Sequence, residues 1–186
     1  MANLFLSKRY AKALFGLSLE MDVLETVKKD MEMIRSTCDG SKELRLFLKS
    51  PIIRSHKKGN VLKILFEDRV SELTMRFIVL LTNKKREKFL GGIAAAFLDL
   101  YKDFKNILTV ELQTAHKIGD ETKKRIIRLL EDHTKSTIEM ADKIREELIG
   151  GFIMKYGDWQ YDASIANQLN RLHRKAARFN LYQRKI

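Results

Sequence analysis

Residues 106–115 read NILTVELQTA. Ile107, Thr109 and Val110 are β-branched, and apolar and polar residues nearly alternate, which is the pattern of a strand. Everything before this stretch follows a different period. The change near residue 105 therefore divides the chain, and the two sides are read separately.

Upstream, apolar residues recur every three or four positions, the spacing of helices. A first helix covers 4–20, with Leu6, Tyr10, Ala13, Leu14, Leu17 and Met21 on one stripe. A second patch, Leu4, Ala11 and Phe15, lies roughly 100° further round at about 3.6 residues per turn. A helix with one buried face needs one stripe. Two adjacent stripes mean two neighbours: either both lie within this chain's own bundle, or one belongs to another chain. A second helix runs over 22–36 along Val23, Val27, Met31 and Ile34. The stretch CDGS at 38–41 reads as a turn, and a short helix covers about 41–49. Pro51 restricts Ser50 to extended backbone and stops it. A fourth helix spans about 55–67, with Ser55 as its N-cap. The fifth, VSELTMRFIVLLT at 70–82, is apolar nearly all round, so it is deeply buried or covered by a partner. The sixth, 86–104, carries Phe89, Ile93, Phe97, Leu100 and Phe104. Gly91 and Gly92 weaken it by ~1 kcal/mol each relative to Ala, and their smallness permits close helix packing.

Downstream, 120–134 returns to helix through Ile126, Ile127, Leu129 and Leu130. STIEMADKI at 136–144 alternates and reads as a second strand. LIGGFIMKYG at 148–157 reads as a third, placed to form a hairpin with the second. Gly150 and Gly151 mark a bulge or a close backbone approach. Gly157-Asp158 signals a turn, and Asp162 or Ser164 caps a last helix at 163–178. That helix turns Ile165, Leu169, Leu172 and Ala176 inward and carries Arg171, Arg174, Lys175 and Arg178 on its other side. The expected fold is mostly α: a six-helix N-terminal bundle over 1–105, followed by a small α/β module over 106–186.

Composition narrows the function classes. Lys and Arg total 36 against 24 Asp and Glu, a net charge of +12. That balance suits an acidic partner, a nucleic acid or an anionic membrane surface. Cys38 stands alone, so no intramolecular disulfide forms, and a reducing compartment is expected. No apolar run reaches the ~18 residues of a membrane span, and the N-terminus lacks the apolar core of a signal peptide, so a cytoplasmic chain is expected. His56, His116, His133 and His173 are scattered, none at metal-ligand spacing, and are expected on the surface. No Walker A loop or dinucleotide fingerprint is present. No catalytic residue, metal or cofactor is assigned.

Four pieces, in chain order, carry a resemblance. They are SKRYAKALF at Ser7–Phe15, FLKSPII at 47–53, LLTNKKRE at 80–87 and LIGGFIMKYGDWQYDASIANQL at 148–169. Together they resemble the delta subunit family of bacterial F-type ATP synthase, the oligomycin-sensitivity-conferring protein of mitochondria. Two positions depart from the family pattern: Ala163 replaces a common glycine and Arg145 a common acidic residue.

The resemblance implies a non-catalytic stator subunit. Its N-terminal bundle would bind N-terminal segments of the α subunits on the catalytic head. Its C-terminal module would bind the ends of the b subunits in the peripheral stalk, so that rotary torque drives ATP synthesis. It further implies a groove for an amphipathic α-subunit helix, with Tyr10, Ala13, Leu14 and Leu17 on one wall and Phe77, Ile78 and Leu81 on the other. Gly150, Gly151, Gly157, Asp158, Asp162 and Ser164 make up the terminal signature, a structural element near the b contact. One copy per complex, a monomer in isolation and peripheral association with the cytoplasmic face of the bacterial membrane are expected, with no nucleic acid. The alternative is a basic nucleic-acid-binding protein, motivated by the charge and by 171-RLHRKAAR-178. A small hydrolase, motivated only by scattered carboxylates and histidines, ranks below it.

Overall fold

The computed structural model describes residues 2–172 except 117 and 158. The chain is mostly helical, with a small mixed sheet toward its C-terminal end. It divides into two compact units, Met1–Lys105 and Asn106–Ile186.

Unit 1 contains α1 (Ala2–Glu20), α2 (Leu24–Gly40), α3 (Lys42–Lys49), α4 (Ser55–Phe66), α5 (Glu72–Asn83) and α6 (Leu90–Phe104), with a 3-10 turn at Glu87–Phe89 before α6. Helix α6 is central and packs on both α1 and α2. Its Ile93, Ala94 and Phe97 are fully buried, with Ala11 of α1 and Val27, Met31 and Ile34 of α2. Phe97 also meets Phe15 edge-on, with ring centroids 5.6 Å apart. The two glycines of α6 make the close approach possible. A Cβ on Gly91 would lie 3.3 Å from Cys38 Cβ, and one on Gly92 3.0 Å from Ser7 Oγ.

Two local expectations change. Cys38 lies inside α2, which continues to Gly40, and not in a turn. Its side chain is buried against α6, and that packing keeps the last turn helical. Burial also pushes the thiol up to about 11, so it stays protonated at neutral pH. Ser55 is the first residue of α4 and not its cap; its hydroxyl instead faces Glu87 Oε1 at 3.4 Å. Glu87 is tied to Lys58, whose Nζ donates to Glu87 Oε1 at 3.0 Å and to the Leu48 carbonyl at 2.8 Å. Both charged side chains are almost wholly buried.

In unit 2, β1 (Ile107–Thr114) is followed by α7 (Asp120–Thr134), β2 (Thr137–Ile144), a 3-10 turn at Glu146–Leu148, β3 (Phe152–Tyr156) and β4 (Trp159–Asp162). Strand order is β2-β1-β3-β4. Strand β1 pairs in parallel with β2 through the α7 crossover, Val110 facing Met140. It pairs antiparallel with β3, Leu112 facing Met154. The expected hairpin between the second and third strands is therefore wrong. Strand β3 forms its hairpin with β4, across the Gly157 turn, and β1 separates it from β2. The more apolar β1, with Val110 and Leu112 buried, takes the inner place, while β2, exposed from Ala141 to Ile144, sits at the edge.

Residues 165–172 are helical, but Leu169 and Leu172 are 47% and 62% exposed and do not point inward as expected, while Ile165, 43% exposed, turns its Cδ1 toward Gly150. Ala176, Arg174, Lys175 and Arg178 lie outside the described residues, as does His173. His56, His116 and His133 are exposed, as expected.

Candidate functional site

An open apolar groove of about 770 Å³ runs between α1 and α5. One wall carries Tyr10, Ala13, Leu14 and Leu17, which share a stripe because they recur at spacings of three and four along α1. Leu14 is buried, while Ala13 and Leu17 are exposed. The other wall carries Leu73, Phe77 and Leu80 of α5, at spacings of four and three. Tyr10 and Phe77 meet edge-to-face with centroids 6.5 Å apart and join the walls. Arg76 and Glu72 stand on the rim as a largely exposed ion pair, worth only ~0.3–0.5 kcal/mol to the helix.

Five of the seven expected groove residues thus lie in its lining. Ile78 and Leu81 do not; each is 1% exposed and belongs to the core. The reason is rotational. Each follows its lining neighbour, Phe77 or Leu80, by one residue, about 100° further round the helix and so into the bundle. Met21 belongs to the expected stripe of the first helix, and Leu73 and Leu80 to the nearly all-apolar stretch 70–82, without being assigned to the groove. Val23 and Thr26, at the start of α2, also line it. No signal in the sequence brings that turn to this place.

The terminal signature has a different character. Gly151 has φ +77°, and a Cβ there would fall 2.3 Å from the Ala163 carbonyl oxygen. A Cβ on Gly150 would fall 2.7 Å from Ile165 Cδ1. The two glycines therefore mark a close approach of the chain to the start of the last helix. Gly157, at φ +53°, makes the β3–β4 turn. Asp158 lies outside the described residues. Asp162 Oδ1 accepts from Ser164 N at 2.9 Å, and Ser164 Oγ accepts from Asn167 N at 3.2 Å, so both open the following helix. Ser164 donating to Asp162 holds that carboxyl below its usual value.

Beside this signature, β3 and β4 present Tyr156, Trp159 and Tyr161 on one face. They are 43%, 81% and 63% exposed. Register puts Tyr156 opposite Trp159 and Met154 opposite Tyr161. Helix α7 packs on β2, with Lys123 paired to Asp142. Single exposed apolar residues are ordinary; here three aromatic side chains are exposed together on one face of a strand pair.

Among the described residues, no group of three His, Cys, Asp or Glu is placed to hold a metal, and no helix is long and apolar enough to cross a membrane. An open helical groove and an exposed aromatic strand pair, on two compact units of one chain, define a docking protein. The family model for the ATP synthase delta (OSCP) subunit matches residues 6–176. The chain is 37% identical to ATP synthase subunit delta of Chlorobaculum tepidum over 92% of its length and 95% of the relative's. It is 33% identical to that of Salinibacter ruber, over 93% of this chain and 91% of the relative. It is also similar to a chain in the cryo-EM structure of the Toxoplasma gondii mitochondrial ATP synthase hexamer. There the TM-score is 0.71 at 26% identity, with 92% of this chain and 97% of that one covered. The chain belongs to the ATP synthase delta (OSCP) family. Membership makes it a non-catalytic stator subunit of F-type ATP synthase.

Proposed function

We propose that the groove between α1 and α5 receives an amphipathic helix from the N-terminal segment of an α subunit, while unit 2 holds the C-terminal ends of the b subunits. In this reading a six-helix bundle over residues 1–105 grips the catalytic head and an α/β module over 106–186 grips the peripheral stalk. The chain keeps the head from turning with the rotor, one copy per complex. It associates peripherally with the cytoplasmic face of the bacterial membrane through its partners and is a monomer alone.

The open groove is the observation that carries the proposal. Helices α1 and α5 have more apolar surface than their own bundle covers, and Leu17, Met21 and Leu80 remain 42%, 54% and 45% exposed along it. Such a trough takes an apolar helix face through a few buried anchors. The exposed Tyr156, Trp159 and Tyr161 give unit 2 a comparable contact surface. The net charge of +12 favours acidic flanks on the partners.

Affinity capture from native membranes tests the reading. Recovery of α, β and b subunits is expected, with Trp159→Ala losing b and Leu17→Glu losing α and β. Salt-sensitive nucleic acid in place of these subunits would refute it.

A further inference from the structure

We infer that Asp30 is the positioning residue of the groove: it holds the first turn of α5 against α2 without touching the groove's occupant. The inference rests on the groove reading above. Asp30 is a carboxylate on α2 that is only 5% exposed. Its Oδ2 accepts from the Ser71 backbone N at 2.9 Å and from Ser71 Oγ at 2.6 Å. Ser71 is the N-cap of α5, and its Oγ accepts from Thr74 N at 3.4 Å.

The serine has one hydroxyl proton. By taking it, Asp30 leaves the oxygen lone pairs facing the free N–H groups of the α5 first turn, where an acceptor is needed. The carboxylate also brings a negative charge to the positive end of the helix dipole. Ser71, Glu72 and Leu73 of that turn line the groove directly. So does Thr26, which stands one helical turn before Asp30 on α2. Helix α2 therefore lines the groove with Thr26 and fixes the α5 wall with Asp30. Two hydrogen bonds to a buried charge set that spacing more sharply than apolar packing, which tolerates sliding.

Binding of a synthetic peptide, the N-terminal segment of the cognate α subunit, is measured by calorimetry on the full chain. Asp30→Ala is expected to weaken it about tenfold, the loss of one charged hydrogen bond's worth of wall geometry. Asp30→Asn keeps an oxygen acceptor and is expected to restore affinity to within about threefold. Leu48→Ala removes a buried side chain on α3, away from the groove. It lowers the melting temperature and is expected to leave the affinity unchanged. Native amide exchange is read in parallel: Asp30→Ala should speed exchange at Ser71 and Thr74, whose N–H groups donate to Asp30 and to Ser71 Oγ, and not in α6. Equal affinity in Asp30→Ala and the parent, or equal weakening by Leu48→Ala, overturns the inference. If the parent protein ignores the peptide, the groove reading fails. The exchange result then decides by itself, and unchanged protection at Ser71 and Thr74 overturns the role of Asp30.

Discussion

Ala13→Trp fills the groove from within. Ala13 is exposed on the α1 wall between Tyr10 and Leu17, so an indole there meets the cavity and not the core. The helix loses little: alanine to tryptophan at an exposed position costs at most ~0.7 kcal/mol in propensity. The incoming helix loses much more. A small residue on the wall lets a partner backbone come near, and the indole displaces the anchor of one helical turn. One fully buried apolar anchor is worth about 1.5–3 kcal/mol, so Kd should rise roughly ten- to hundredfold. Calorimetry against the α-subunit N-terminal peptide reads the affinity, and circular dichroism reads helix content and melting. The expected result is weakened binding with unchanged helix content. If the indole lies down in the groove, the melting temperature also rises. Unchanged affinity in a folded variant would refute the assignment of this wall.

Three further outcomes are expected. Lys105 and then Tyr101, both hydrogen-bonded to Glu25, hold its carboxyl below the ordinary 4.5. A depressed carboxyl stabilises fully above its unfolded value and loses that contribution as pH falls through its folded one. The melting-temperature gap between the parent and Glu25→Gln should therefore close as the pH drops below 4.5, and a gap that persists in acid contradicts the pairing. Gly151→Ala places a methyl on the Ala163 carbonyl at a positive φ and should cost unit 2 roughly 2 kcal/mol or more in urea unfolding, with unit 1 unaffected. Lys58→Met leaves the Glu87 carboxylate buried without its cation and should destabilise unit 1 by about 3–5 kcal/mol; Lys58→Met with Glu87→Leu should recover most of that loss.

Much of this architecture was legible in the sequence. The shift at NILTVELQTA from helical spacing to alternation falls where the chain divides, because burial on one face writes its own period into the residues. The surplus of apolar residues on the first and fifth helices announced a surface that one buried face could not use. The Gly150-Gly151 pair announced a close approach. Asp162 and Ser164 announced a helix start, since capping depends on neighbours a few residues away.

Only the tertiary structure decided which strands pair. Strand β1 separates β2 from β3, a choice made by which strand buries best and not by adjacency in the chain. Only the fold separated Phe77 from Ile78 and Leu80 from Leu81, because an apolar residue looks the same in sequence whether it faces a core or a groove. It also brought Asp30 to Ser71, 41 residues apart, and Lys58 to Glu87, 29 apart. Local periodicity records how each segment is buried. The meeting of distant polar groups depends on how the segments cross, and no short window of residues contains that.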